Sequence, residues 1–512
     1  MNKQSVGFTI VELLVVIVVI GILAAITIIS YTGISKKADT STLQSDLSNS
    51  SNLLKMYQVD NGSYPYDLNG SNCPVSSGSV VDNRYCLKVS PDVDVKYDSI
   101  SPSSYTLTAT KNGITYSINE GGAITYIAPG KYFLRISSGR MYTCGIASDN
   151  NVYCWGYGAQ GQLGNNSTSD KLVPTALDTT GALSGKTIKS ISAGHLHTCA
   201  IASDNNAYCW GSDVGAIGDG MSLSQRQVPV AVSTAGALNG KTVKSITTGD
   251  SHTCAIASDD NAYCWGSGGN AQLGNNSTDQ KTVPTAVYTA GALSGKTIKS
   301  ISAGDYHTCA IASDDLAYCW GSNSYGQLGD GTTTQRATPT PVNTGGVLSG
   351  KTIKSISANY SDHTCVIASD NQAYCWGDNY AGRLGDNSNT NSSIPVPVYN
   401  SGALNGKTIS QIFVDFGHTC VIASNNQAYC WGYGGYGALG NNSTADSFVP
   451  VAVDTTGVLN GKTIQYISMS LYGGCVIASN NQVYCWGVNS QGSLGNDSTV
   501  DSLVPVSVNA IP

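Results

Sequence analysis

Seven tryptophans set the plan of this chain. Trp155, Trp210, Trp265, Trp320, Trp376, Trp431 and Trp486 recur at 55-residue intervals, with one interval of 56, so nearly everything from about residue 131 onward is one unit written seven times. A unit this short has no interior of its own. It buries apolar side chains only by stacking against copies of itself, which leaves a propeller or a solenoid as the outcome. Within the unit the pattern is that of sheet. Thr187–Ser192 and Thr198–Ala202 read as strands, Ser203–Asn206 as a polar turn and Ala207–Trp210 as a third strand; a loop with Gly-Gln-Leu-Gly or a relative follows, then a strand containing Val-Pro. The first unit opens with an inner-type strand, Tyr132–Ser137, and the last ends with Leu503–Val508. These two are expected to complete one shared blade and so close a ring.

Fourteen of the 16 cysteines form Cys-x9-Cys pairs, one per repeat: Cys144 and Cys154, Cys199 and Cys209, Cys254 and Cys264, Cys309 and Cys319, Cys365 and Cys375, Cys420 and Cys430, Cys475 and Cys485. If the turn between them has an odd number of residues, the members of a pair face each other across a hairpin at a separation that suits a disulfide. Cys73 and Cys86, outside the repeats, are expected to pair as well. The even count argues for an oxidising compartment. Nine intervening residues on opposed strands do not give the spacing of zinc knuckles, and the Asn-Asn-Ser-Thr loops and the Asp386–Asn389 run match no calcium-loop spacing, so no metal is predicted.

Five of the six histidines, His197, His252, His307, His363 and His418, share one repeat position, which Tyr142 and Gly473 fill in the first and last units. Repetition in register marks a packing element rather than a catalyst. No Ser/His/Asp set, isolated acid pair or phosphate loop stands outside the register, so no catalytic residue and no cofactor is predicted, and the chain is read as a non-enzyme. With 26 Lys+Arg against 33 Asp+Glu and a net charge of −7, nucleic acid is a poor partner.

His-Thr-Cys, Tyr-Cys-Trp-Gly and Gly-Gln-Leu-Gly, in this order, resemble the repeats of the regulator of chromosome condensation family, which implies a seven-bladed β-propeller over about three quarters of the chain. The N-terminal part reads differently. After Met1–Gly7, a short polar leader, the 23 residues Phe8–Ser30 carry Glu12 as their only charge. As a helix they span about 34 Å, enough to cross a bilayer. Gly-Phe-Thr-Ile-Val-Glu followed by an apolar helix resembles a type IV prepilin leader. The resemblance implies cleavage after Gly7 by a prepilin peptidase, N-methylation of Phe8, and pairing of Glu12 with the amino terminus of a neighbouring subunit. Ile29 stands where many type IVa pilins have a kinking proline.

Leu43, Leu47, Leu54 and Tyr57 continue as one helical stripe up to Asn61-Gly62. Tyr105–Thr110 and Ile114–Ile118 then alternate around Asn112-Gly113 as a hairpin, and Ala123–Ile127 offers another strand. This order is similar to the pilin fold. The expected fold class is therefore an α+β pilin-like N-terminal domain over residues 8–130, with a long helix over about 8–58, followed by an all-β seven-bladed propeller over 131–512.

The turn between second and third strands and the Gly-Ala-Leu-Ser-Gly-Lys-Thr connection barely change from repeat to repeat. The loop between first and second strands and the stretch after Trp-Gly vary in every one. In an up-and-down blade the variable loops share one end, which carries Tyr142, Tyr157, Tyr306, Tyr325, Tyr360, Tyr380, Phe416, Tyr433, Tyr436 and Tyr472. Tyrosine-rich loops suit protein or glycan contact, and these residues form the expected binding face. The resulting reading is a minor tip pilin or pilin-like adhesin of a type IV pilus on the bacterial surface. Its expected partners are other pilins, a prepilin peptidase, the inner or cytoplasmic membrane before assembly, and an unknown surface protein or glycan. A secretion-system pseudopilin, a protein-binding surface propeller and a surface-anchored enzyme are the alternatives.

Overall fold

The computed structural model describes residues 37–512 except 66, 70, 76–80, 102–103, 112–113, 128–129, 223–224 and 360. The chain divides into two compact units, Met1–Gly130 and Lys131–Pro512.

In the first unit a helix covers residues 37–61, and Asp94–Ser101, Ser104–Lys111, Ile114–Asn119 and Thr125–Ile127 form an antiparallel four-stranded meander. Lys111 pairs with Ile114 across the expected hairpin. The helical stripe Leu43, Leu47 and Leu54 is buried with Tyr105, Leu107 and Ile118 of the sheet, and Ser51 Oγ lies 2.7 Å from the Tyr105 hydroxyl. Cys73 and Cys86 are disulfide-bonded. The long helix expected over about 8–58 is thus described only from residue 37; residues 8–36 lie outside the described residues.

The second unit consists of seven four-stranded antiparallel sheets in chain order, the blades of a propeller. Blade 2, Ile188–Ala193, His197–Ala202, Ala207–Gly211 and Arg226–Ala231, stands for the rest. Its two middle strands are buried along their whole length, which is why they read as continuous small and apolar runs rather than alternating ones. The turn between them follows from Asp204 and Asn205. The Asp204 carboxylate accepts the Asn206 N–H at 3.1 Å, and Asn205 takes φ +61°, a conformation that Asn and Asp tolerate. Asn or Asp holds this left-handed position in all seven blades: Asn150, Asn205, Asp260, Asp315, Asn371, Asn426 and Asn481. The resulting register sets Cys199 opposite Cys209, and the two are bonded with Cα atoms 4.1 Å apart. The same bond recurs in every blade.

The core lies between blades. Ile201, Ala207 and Ile217 of blade 2 pack against Val243, Ala255 and Trp265 of blade 3. All seven tryptophans are fully buried in this way, each contributing about 4–6 kcal/mol of apolar burial. The Leu-Gly of each loop, Ile217-Gly218 in blade 2, serves this packing. In blade 3, Gly274 sits at φ +65° against the indole of Trp320, where a Cβ would stand 2.4 Å from Nε1.

Ring closure departs from the expected shared blade. Blade 1 (Phe133–Gly139 to Lys171–Ala176) and blade 7 (Ile464–Ser470 to Ser502–Ser507) each hold all four of their own strands. Blades 7 and 1 are joined instead by packing of Ile477, Val483, Leu494 and Val508 on Phe133, Ile136 and Trp155. The repeat begins at the innermost strand, so no strand is left over to exchange.

Candidate binding face

The loops that join first to second and third to fourth strands emerge on one face, and hydrogen bonds between blades hold their bases. In blade 4 the Thr308 hydroxyl donates to the Gln272 carbonyl of blade 3 at 2.8 Å, and Trp320 Nε1 donates to the same oxygen at 2.9 Å. Having given up its hydrogen, Thr308 accepts from His252 Nε2 at 2.9 Å. The arrangement repeats for His197–Thr253, His307–Thr364 and His363–Thr419. It fixes the tautomer with the proton on Nε2. Burial holds these imidazoles neutral, pushing His197 and His307 down to about 3 and His252 and His418 to about 4.

A second ring of bonds surrounds the central channel. Ser137 Oγ accepts the Ala193 N–H, and Ser192, Thr247, Ser302, Ser357 and Ser468 do the same for the blade that follows each. The Ser468 bond reaches Ser138 and so closes the circle. Blade 6 has Phe413 at this position, and its ring meets Tyr466 of blade 7 edge-on at 5.6 Å. The hydroxyl series escaped the sequence reading, although Ser or Thr after the isoleucine of the first strand in six of the seven blades was its signal. The channel cavity, about 60 Å³, holds water at most.

On the loop face a charged chain rims the channel. Arg140 Nη1 lies 2.6 Å from His195 Nε2, and His195 Nδ1 contacts the Asp250 carboxylate. Burial works to raise the Asp250 carboxyl, but hydrogen bonds from His195 and Ser251 outweigh it and hold the group below its ordinary value. Asp305 follows, pushed up to about 8 by burial and by the charges of Asp250 and Asp362. Burial also raises Asp362, which accepts from Gln327 Nε2 at 3.1 Å. His195 and the acids were not among the expected site residues; the signal was a lone histidine outside the repeat register.

Beside this rim, blades 5 to 7 form an aromatic basin. Arg383 is nearly buried, paired with Asp378 at 2.9 Å, and its Nε donates to the Tyr380 carbonyl at 3.1 Å. Tyr380, Phe416, Tyr433 and Tyr472 stand around it, lining a cleft of about 220 Å³. Tyr472 packs on Tyr433 and Tyr436 with centroids 5.7 and 5.4 Å away. Tyr380 is 65% exposed, Tyr436 50%, Tyr325 44% and Phe416 42%. The opposite face is held by repeated internal bonds. There each turn aspartate or asparagine bonds a tyrosine hydroxyl, as Asp204 does Tyr208 at 2.7 Å, and a lysine caps the ring, as Lys186 does at 5.4 Å. A larger cleft of about 400 Å³ opens there at the seam of blades 7 and 1, lined by Tyr132, Leu134, Gln465 and Asn481 among others. It lacks the clustered exposed aromatics of the basin.

Comparison with known proteins reaches the same architecture. Residues 117–474 match the RCC1-like domain and residues 480–512 the regulator of chromosome condensation (RCC1) repeat. The chain belongs to the RCC1-like domain family. It is similar to the ultraviolet-B receptor UVR8 of Arabidopsis thaliana, 32% identical over 386 residues covering 75% of this chain and 83% of UVR8. It is 25% identical over 369 residues to the mitochondrial RCC1 domain-containing protein RUG3 of the same plant, covering 67% of this chain and 79% of RUG3. Among solved structures, Prp20p of Saccharomyces cerevisiae superposes with a TM-score of 0.57 at 20% identity, covering 66% of this chain and 80% of Prp20p.

These matches correct the functional reading drawn from the N-terminal segment. The relatives named are plant and yeast RCC1-like proteins, and the family matches begin only at residue 117. The assignment as a type IV pilus tip pilin or adhesin therefore falls. With it fall the pilin, prepilin-peptidase, membrane and surface-glycan partners and the bacterial-surface location; RUG3 is by name mitochondrial. The physical reason is weight: seven repeats carry the kinship, whereas the leader resemblance rested on one six-residue motif and the apolar run after it. Gly7, Phe8 and Glu12 lie outside the described residues. Among the described residues no helix is long and apolar enough to cross a membrane.

The RCC1-like propeller also sorts the aromatic residues expected on the variable face. Tyr306, Tyr325, Tyr380, Phe416 and Tyr436 are exposed there, and Tyr157, Tyr433 and Tyr472 are half-buried. Tyr142 is not on the surface. It is 0% exposed, and its hydroxyl donates to the His197 carbonyl at 2.8 Å, so it replaces the repeat histidine as a joint between blades. Tyr360 lies outside the described residues.

Proposed function

We propose that this RCC1-like propeller is a non-enzymatic binding module that takes a polypeptide partner on its variable loop face, with the aromatic basin of blades 5 to 7 as the anchor point. The observation that carries this is the convergence of exposed Tyr380 and Phe416, with half-buried Tyr433 and Tyr472, on a nearly buried Arg383. Aromatic and arginine side chains grouped around a cleft are the composition of interface hot spots. The cleft, about 220 Å³, is smaller than the 300–1,000 Å³ or so of small-molecule sites and suits one inserted side chain. The family supports a protein partner: yeast Prp20p is described by its binding to Gsp1p and histones.

A photo-crosslinking amino acid in place of Phe416, with Asn206 on the opposite face as control, tests the reading in the full chain. A partner captured from position 416 alone, and bound at least tenfold more weakly by a Tyr380→Ala/Tyr436→Ala variant, is expected. Equal capture from Asn206, or undiminished binding by the variant, refutes it.

A further inference from the structure

The loop that follows the third strand is braced in three blades by one buried asparagine. In blade 4, Asn323 Oδ1 accepts the Leu328 N–H at 3.0 Å, and Nδ2 points into a cage of oxygens: Asp330 Oδ1 at 3.2 Å, the Thr332 carbonyl at 3.1 Å and the Thr334 carbonyl at 3.1 Å. Asn379 in blade 5 and Asn489 in blade 7 donate into the same kind of cage. An amide N–H₂ is what such a cage needs, since every atom lining it is an acceptor.

Blade 2 has an aspartate there. Asp213 is 6% exposed; its Oδ1 accepts the Gly215 N–H at 2.7 Å, and its Oδ2 has no hydrogen-bond partner. Two neighbours match those of blade 4, while the residues at the place of Thr334 lie outside the described residues. Asp219 accepts the Met221 N–H at 3.0 Å as Asp330 accepts that of Thr332 at 2.9 Å, and Arg226 bonds Asp219 as Arg336 bonds Asp330. Asp219 is ion-paired with Arg226, whose charge also reaches Asp213, so two carboxylates share one cation and one negative charge is left over. An unpaired buried carboxylate oxygen is costly, and proteins relieve it with a counter-ion or a proton. Burial first, and then the Asp219 charge, raise this carboxyl above its ordinary value, against the opposing pull of the Gly215 and Ile217 N–H groups and the Arg226 charge.

We propose that Asp213 and Asp219 in blade 2 form a site for a hard, oxygen-seeking cation of the Ca²⁺ class, which takes the place that an amide nitrogen fills in blades 4, 5 and 7. The Asp213 Oδ2, the Asp219 carboxylate and, by register with Thr332, the Met221 carbonyl supply protein oxygens, and water completes the shell, a donor set that suits Ca²⁺. Among the described residues no group of three or more His, Cys, Asp or Glu side chains is arranged to hold a metal. This site differs in using two carboxylates with a main-chain oxygen. The sequence reading predicted no metal because the spacing matches no known loop; the cage becomes visible only when equivalent blades are superposed.

The test uses the full, oxidised chain, stripped with EDTA and titrated with CaCl₂ by calorimetry and thermal melting at pH 7.5. Wild type is expected to bind one Ca²⁺ per chain, with Kd on the order of 10⁻⁴ to 10⁻³ M, and to melt at a higher temperature with the ion. Asp213→Asn restores the residue that other blades use. It is therefore expected to fold, to bind Ca²⁺ at least tenfold more weakly, and to melt above the Ca²⁺-free wild type. Equal Ca²⁺ binding by both proteins, which would put the ion elsewhere, overturns the proposal. So does the lack of any Ca²⁺ response in wild type, which would mean that a protonated Asp213 occupies the cage as donor.

Discussion

Replacing His307 by glutamine is expected to flatten the acid sensitivity of this propeller by one proton. His307 is fully buried; its Nε2 donates to Thr364 Oγ1 at 2.8 Å, and its Nδ1 has no partner. A second proton would put both a charge and an unsatisfied N–H into the core, and burial, with help from His252, lowers the group to about 3. The free imidazole titrates near 6.5. The unfolded chain therefore takes up a proton that the native state refuses. Stability from this group is complete above pH 6.5 and is lost as the pH falls toward 3. At pH 5 the loss is about 2 kcal/mol for this one residue. Glutamine can present an N–H near the same place and does not titrate.

Urea unfolding of the oxidised proteins, followed by the fluorescence of the buried tryptophans, measures the effect at pH 8 and pH 5. The variant is expected to be less stable at pH 8 by about 1–2 kcal/mol through imperfect packing, with the gap closing by about 2 kcal/mol at pH 5. Asp305 and Asp415, both pushed up to about 8, bind protons in the native state and act in the opposite direction. They are common to both proteins, so the difference removes them. Parallel pH dependences of wild type and variant would refute the argument that His307 stays neutral.

Three further outcomes follow from the same structure. Serine at both Cys309 and Cys319 removes the blade 4 disulfide and is expected to cost about 2.5–3 kcal/mol by chain entropy; an unchanged urea midpoint would mean that the bridge is not formed. Gly274→Ala places a methyl 2.4 Å from Trp320 Nε1 at a left-handed φ, and a loss of about 2–4 kcal/mol is expected. A neutral result in thermal melting would contradict the tight seat for the indole. Arg383→Ala leaves Asp378 and Asp362 without their counter-ion and is expected to destabilise by about 3–5 kcal/mol and to weaken partner binding; Lys at 383 should recover stability more than binding, because it lacks the planar fork.

Much of the propeller was legible because the forces that shape a blade are local and are repeated. The positive φ at Asn205 and the opposition of Cys199 and Cys209 arise within some 25 residues, and the burial of Trp210 against the preceding blade follows from repeating the unit. Repetition in register also pointed to packing rather than catalysis for the histidines. What misled was an N-terminal motif of six residues with the apolar run after it, set against a kinship carried by seven repeats. Tyr142 misled in another way: a tyrosine at the place of the repeat histidine looks like a loop residue until its hydroxyl is seen to bond the next blade.

By itself, then, the order of residues determined the repeat, the strand pattern within it and which cysteines could meet, since each depends on neighbours a few positions away. Tertiary structure alone decided how the circle closes. It brought Tyr380, Phe416 and Tyr472 around Arg383 and left Asp213 with an unmatched oxygen. Those outcomes depend on contacts between residues tens to hundreds of positions apart, where the spacing along the chain carries no distance and only the packed ring supplies one.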